Sequence, residues 1–394
     1  MKYTLSSNGW DKEEIKAINS VIKSERYTMG PQVNTFENKI AKFHNSKHAV
    51  MLNSGSSANL VATTAITIKQ DGFKRQFFRN RGVIIAPAVS WSTTYFPLSQ
   101  LGYKIILIDV DDTFNINIDV LKTLSLKNNI VGLVGVNLLG VSADQSKILN
   151  FCRENKIFYI EDNCESFGAS LEEKFCGTFG DVGTLSFFYS HHLQTMEGGM
   201  LLTDCDEIAN IARSIRAHGW TRDGDYKRML DGFDYDECDE LFRFILPGYC
   251  LRPLEFSGAV GSIQLQKWHD QYKQRISNYK CFESLAASRK YLKIQKARGK
   301  PSWFGFACLF NLESKEERKK LYLYLKSKEI ESRPIVAGNF AKQPVIRMLN
   351  VEIEGKLQMS DEINDKGLFF GNDQRDLSKQ IHYLFENLDH YFNN

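Results

Sequence analysis

Five short apolar runs set the terms on which this chain can fold: "HAVML" (48–52), "GVIIAP" (82–87), "KIILIDV" (104–110), "IVGLVGV" (130–136) and "IFYIED" (157–162). Most are apolar throughout rather than alternating with polar residues, so such strands need cover on both faces. Amphipathic segments such as 57–68 and 143–154 lie between them. Strand-helix-strand repetition of this kind predicts an α/β domain with a mostly parallel sheet and helices on both sides.

After about Pro247 the pattern changes to a long helical stretch, an apolar strand "SWFGFACLF" (302–310), a charged helix over 314–328 and a last helix near 377–391. The expected division is therefore a large α/β domain over 1–246, opening with a helical segment, and a smaller α+β domain over 247–394. A length of 394 residues agrees, since single cores stop growing below that size. The polar, irregular stretch 221–240 reads as a surface excursion.

Composition excludes several function classes. Fifty basic against 47 acidic residues leave a net charge of +3, and no Lys/Arg run interleaved with aromatics offers a face for nucleic acid. The opening "MKYTLSSNGWDKEEIK" has no apolar core of a secretory signal, and no stretch approaches the roughly 18 apolar residues of a membrane span. The eight cysteines are scattered without a CxxC or CxC pair, which gives no zinc or iron–sulfur spacing and suits a reducing compartment. A cytoplasmic protein without a metal centre is expected.

Three motifs sit where an α/β sheet places ligand-binding groups. "MLNSGSSANL" (51–60) sets Gly55, Ser56 and Ser57 between a strand end and a helix start, where free amides and hydroxyls can cradle a phosphate or cap the helix. "FYIEDNCES" puts Asp162 at a strand's C-terminal end, able to hold a cationic ring nitrogen or to cap a turn. "PAVSWSTTYFP" (87–97) brings Trp91 just past another strand end, as a stacking surface or as core.

Their order is more specific than any one of them. With Ser186, the histidine pair His191 and His192 in "HHLQTMEGGM", "RAHGWTR" (216–222) and "RPIVAGNF" (333–340), the chain resembles the fold-type I DegT/DnrJ/EryC1/StrS family of pyridoxal-phosphate-dependent nucleotide-sugar enzymes. The resemblance runs from about Trp10 to the C-terminal helix. It implies that Gly55, Ser56, Ser57 and Ser186 hold the phosphate of pyridoxal 5′-phosphate or its pyridoxamine form, that Trp91 covers the ring, and that Asp162 pairs with the ring nitrogen. It also implies a homodimer whose chains share active sites. His218 and Arg333 become candidates for binding substrate, the latter through a donor carboxylate or a nucleotide diphosphate.

Within that family the position matching His191 is ordinarily the lysine that bonds the cofactor covalently. Imidazole forms no stable bond of that kind, so the resemblance implies a noncovalently held cofactor with His191 as general base. Glu165 stands where aminotransferases of the group carry glutamine near the cofactor's phenolic oxygen. Both differences look like the members that remove the C3 hydroxyl of a GDP-4-keto-6-deoxy sugar, of the D-mannose type that leads to colitose. Those members use glutamate as amino donor and release ammonia and a 3-deoxy-4-keto sugar. The related cluster-dependent 3-dehydratase also carries histidine here but needs grouped cysteines, so no iron–sulfur cluster is expected. Three alternatives stay open: the same dehydration on a GDP-linked 6-deoxy-4-keto heptose, a nucleotide-sugar aminotransferase, and a cofactor-binding regulator without activity. His192 reads as a packing histidine. Cys250 departs from the family, which usually supplies an asparagine there from the neighbouring subunit to the phosphate; a thiol is a weaker donor.

Overall fold

The computed structural model describes residues 1–72, 81–121, 129–222, 224, 226 and 236–393. Most of the predicted excursion over 221–240 therefore lies outside the described residues. Helices α1 (Lys12–Lys23) and α2 (Pro31–His44) precede β1 (His48–Leu52). The chain then alternates through α3 (Gly55–Asp71), β2 (Val83–Pro87), α4 (Ser92–Gln100), β3 (Lys104–Ile108), the short α5 (Ile118–Leu121), β4 (Ile130–Val136), α6 (Gln145–Asn155) and β5 (Phe158–Asp162). A small hairpin, β6 (Ser170–Leu171) with β7 (Lys174–Phe175), leads to β8 (Val182–Ser186), β9 (Gly199–Thr203) and α7 (Asp206–Arg216).

The continuous apolar runs form a sheet covered on both sides. Ile84, Ile105 and Leu107 point into one buried cluster with residues of α3 and α7. Their neighbours Ile85, Ile106 and Ile108 point into another beneath α6. That division follows from the pleat, which turns successive side chains to opposite faces. Strands β2 to β5 and β8 run parallel, while β9 is inserted antiparallel between β8 and β1. The sheet is therefore mostly parallel, and the strand that departs from this, β9, is one the apolar runs did not reveal.

After α8 (Glu255–Ala286), the strands β10 (Leu292–Ile294), β11 (Gly305–Phe310) and β13 (Gly367–Gly371) make a three-stranded antiparallel sheet. Helices α9 (Lys315–Ser327) and α11 (Ser378–Asn393) cover it through Leu321, Leu325, Leu384 and Phe385. Packing does not change over at the expected boundary after residue 246. Trp268 of α8 joins the cluster that includes Phe36 of α2, whereas Phe282 of the same helix belongs to the smaller core. A 32-residue helix is about 48 Å long, enough to serve both cores. The chain also returns to the large sheet: β12 (Val351–Ile353) pairs in parallel with β3, just before α10 (Gln358–Lys366). Among the described residues, no helix is long and apolar enough to cross a membrane.

Candidate active site

Ser54 caps α3, accepting the Ser57 amide on its hydroxyl at 3.1 Å. The amides of Gly55 and Ser56 belong to the first turn, which has no intrahelical acceptors, so that end of the helix presents donors and the positive end of its dipole. Only glycine fits at 55: a Cβ there would lie 2.6 Å from the Ser186 Cβ. The end of β8 thus closes directly on the helix start. The Ser56 hydroxyl donates to Thr93 Oγ1 at 3.1 Å. Ser57 is turned away, its hydroxyl donating to Asn53 Oδ1 at 2.6 Å.

These groups form one end of a cavity of about 300 Å³, at the C-terminal ends of β4, β5 and β8. Asp162 is buried on its wall, held by three donors: Asn59 Nδ2 at 2.9 Å and Thr94 Oγ1 at 2.7 Å on one oxygen, and the Cys164 amide at 3.2 Å on the other. Glu161 points the opposite way, as the pleat requires, and accepts the amides of Gly177 and Phe179, both at 2.7 Å. Burial raises the Glu161 carboxyl above its usual range. Trp91, just ahead of α4, is 54% exposed on the cavity rim and is not part of the core.

Glu165 lies on the same wall and accepts the Leu139 amide at 3.3 Å. Burial pushes its carboxyl up to about 7, against the opposing pull of the Arg333 guanidinium. Arg333 reaches the cavity from the segment paired with β13 and lies 4.5 Å above the Phe369 ring. His191 follows β8 in a tight turn, its amide bonded to the Phe188 carbonyl at 2.8 Å. Its ring sits edge-on to Phe304 and Phe188, with centres 5.0 and 5.9 Å apart. Burial, reinforced by Arg333 and Arg275, brings this imidazole down to about 3. Its ring is thus held neutral near pH 7, and its Nδ1 is buried with no hydrogen-bond partner among the described residues.

The cavity therefore gathers Gly55, Ser56, Trp91, Asp162, Glu165, Ser186, His191 and Arg333, eight of the positions singled out in the sequence. It does not include Ser57, whose polar groups are engaged within the cap, or His218. The His218 amide bonds to the Tyr249 carbonyl at 2.7 Å and its ring lies 5.5 Å from Trp220, beside the bridge between Ala217 and exposed Cys250. His192 is buried against Trp268 and Phe304, with Nε2 3.3 Å from the Ser302 carbonyl. Desolvation holds it neutral, and among the described residues no group of three or more metal-ligating side chains comes together.

Asn59, Thr93, Thr94 and Phe304 were missed. Asn59 lies four residues after Gly55, so helical spacing puts it one turn up the same face. Phe304 had no local signal, because it enters from the smaller sheet, immediately before its central strand β11.

The donors fit a phosphorylated pyridine cofactor: a cradle that a Cβ would fill, a buried carboxylate opposite it, and an aromatic cover. The model of the DegT/DnrJ/EryC1/StrS aminotransferase family matches residues 9–380. The chain is 42% identical over 388 residues to GDP-4-keto-6-deoxy-D-mannose 3-dehydratase of Yersinia pseudotuberculosis, covering 98% of each. It is similar to the solved structure of the E. coli GDP-4-keto-6-deoxy-D-mannose-3-dehydratase with bound hydrated PLP, at a TM-score of 0.92 and 41% identity over 98% of this chain and 99% of that one. A further solved GDP-4-keto-6-deoxymannose-3-dehydratase, with a trapped PLP-glutamate geminal diamine, gives a TM-score of 0.92 at 41% identity over 98% of this chain and all of the other.

Proposed function

The chain belongs to the DegT/DnrJ/EryC1/StrS aminotransferase family, and from that premise we propose that it is a 3-dehydratase acting on a GDP-4-keto-6-deoxy hexose of the D-mannose type. The observation that carries this reading is a neutral, buried imidazole at His191, on a turn where family aminotransferases carry an amine. Glutamate is the amino donor and becomes 2-oxoglutarate. Its electron pair reduces C3 of the sugar as the hydroxyl leaves, and ammonia is released with the 3-deoxy-4-keto product.

When bound, pyridoxal 5′-phosphate in its pyridoxamine form supplies an amine for the keto group and a ring that accepts electrons. The rest falls to the chain. The amides of Gly55 and Ser56 and the hydroxyls of Ser56 and Ser186 bind the phosphate. Asp162, kept as an acceptor by its three donors, holds the proton on the ring nitrogen. Trp91 covers the ring and limits its contact with water. His191, with no amine to offer, leaves the cofactor free of a covalent tether and takes the proton at C4′. Glu165 carries a carboxyl that titrates near neutrality beside it. The Arg333 fork suits the carboxylate of glutamate or the diphosphate of GDP.

A homodimer with shared sites is part of the proposal. Leu241, Phe242 and Phe244 are exposed beside Trp220, and His218 and Cys250 lie at that edge rather than in the cavity of their own chain. The cytoplasm as its location is supported by eight cysteines that form no disulfide.

Purified protein incubated with glutamate and GDP-4-keto-6-deoxymannose tests the reading. Mass spectrometry should show a 3-deoxy product with one ammonia per sugar; build-up of a 4-amino sugar instead would make the chain an aminotransferase.

A further inference from the structure

Arg275 of α8 is 2% exposed and has no ion-pair partner among the described residues. Its Nη1 donates to three backbone carbonyls, Asn372 at 2.7 Å and Trp303 and Phe304 at 3.4 Å, and its Nε is buried with no partner among the described residues. The neighbouring carboxylate, Asp373, is taken by Arg375 at 2.6 Å. A neutral amide could donate to carbonyls equally well, and burying a cation among neutral acceptors is unfavourable. The charge therefore calls for a reason beyond holding the segment in place.

The geometry supplies one. Trp303 and Phe304 form the entry to β11, and the Phe304 ring is the common edge contact of His191 and His192, at 5.0 and 5.4 Å. Asn372 reinforces the same knot, its Nδ2 donating to the Trp303 carbonyl at 3.0 Å and to the Arg275 carbonyl at 3.2 Å. Arg275 is thus fastened behind the wall on which the histidine rests. We propose that Arg275 is a positioning residue for the reaction: it fastens the Phe304 wall to α8 and sets a fixed positive charge behind His191, so that this imidazole stays an unprotonated acceptor. The proposal rests on the dehydratase reading, in which His191 moves the proton.

The other charged groups that face the cavity are Arg333, which adds to the effect, and Asp162 and Glu197, which oppose it, with Glu165 joining them only above about pH 7; behind the wall, Asp373 offsets part of the Arg275 charge through space. The neighbouring His192 is itself neutral. Arg333 lies on the substrate side, where a bound carboxylate or phosphate would offset its charge. Arg275 is sealed behind Phe304, and its influence persists through turnover.

The test compares holoenzyme with Arg275→Gln, which keeps a donor and loses the charge, and Arg275→Lys, which keeps the charge and loses the fork. Deuterium exchange at the imidazole C2 of His191, followed by mass spectrometry across pH, reads its protonation midpoint without turnover. Arg275→Gln should raise that midpoint by about one pH unit, the displacement expected on removing a nearby charge. The acid side of the pH–rate profile should move with it. Arg275→Lys should leave the midpoint in place. An unchanged midpoint in Arg275→Gln, with the rate lowered alike at every pH, would reduce Arg275 to a structural strap. Should Arg275→Gln not fold, Arg275→Met, which keeps the apolar stem and avoids a buried charge, is read in its place: a raised His191 midpoint sustains the proposal and an unchanged one overturns it. Because exchange needs no substrate, a missing dehydratase activity beside a shifted midpoint would fail the functional reading and not this one.

Discussion

The Asn59 side-chain amide donates to Asp162 Oδ2 at 2.9 Å, joining the first turns of α3 to the end of β5. Thr184 Oγ1 in turn donates to Asn59 Oδ1 at 2.7 Å, so the amide's orientation is settled by β8. The carboxylate that faces the cavity is therefore aimed by side chains rather than by its strand alone.

Asn59→Leu removes one of the three donors that orient the Asp162 carboxylate. A hydrogen bond to a charged group contributes about 1.5–3 kcal/mol, so affinity for pyridoxamine phosphate should fall at least about tenfold. Titration of the apoprotein with the cofactor, followed by absorbance, measures it. Unchanged affinity would show that Asp162 does not bear on the ring.

Gly55→Ala separates stability from binding. Alanine favours a helix over glycine by about 1 kcal/mol, yet the added Cβ meets Ser186 at 2.6 Å. The melting temperature of the apoprotein should fall by only a few degrees, since overpacking costs about 1–3 kcal/mol and the helical gain offsets part of it, while cofactor affinity drops by an order of magnitude or more. Equal loss of both would mean that the cradle is merely tight packing.

His191→Lys places an amine in the cavity. Borohydride reduction should then fix the cofactor's mass on the chain, as it should not in the unmodified protein. His191→Asn keeps a polar side chain without a useful base and should lower dehydration by about 10²–10⁴-fold, the usual worth of a positioned general base. Permanent attachment of the cofactor to the unmodified chain would remove the basis of the proposed chemistry.

Glu165 gives the apoprotein a pH-dependent weakness. In the unfolded chain the carboxyl ionises near its usual 4.5, whereas the folded chain keeps the proton up to about 7. Between those values the folded state binds more protons, so its stability falls as pH rises. Glu165→Gln removes the slope and should gain on the unmodified protein between pH 5 and 8, by up to about 3 kcal/mol. Melting temperatures of the two apoproteins across that range decide the matter; a constant difference contradicts the burial of this carboxyl.

The α/β architecture was legible because continuous apolar runs such as 104–110 can be buried only in a sheet with two covered faces. The Gly-Ser turn that lines one end of the cavity was legible because Gly and Ser between a strand and a helix are a local signal, carried by backbone geometry within a few residues. At position 191 the chemistry was already decided by residue type: an imidazole cannot do what an amine does, wherever it sits. The antiparallel β9, the return of β12 to the large sheet and the sharing of α8 between two cores left no mark on local periodicity, since pairing and packing are long-range. The state of the site was decided there too. Its neutral His191 depends on Phe304, Arg275 and Arg333, and its raised Glu165 on burial beside Arg333, groups more than 80 residues away along the chain. Desolvation and Coulomb interaction act through space, so only the folded arrangement could set which of these two groups holds the proton.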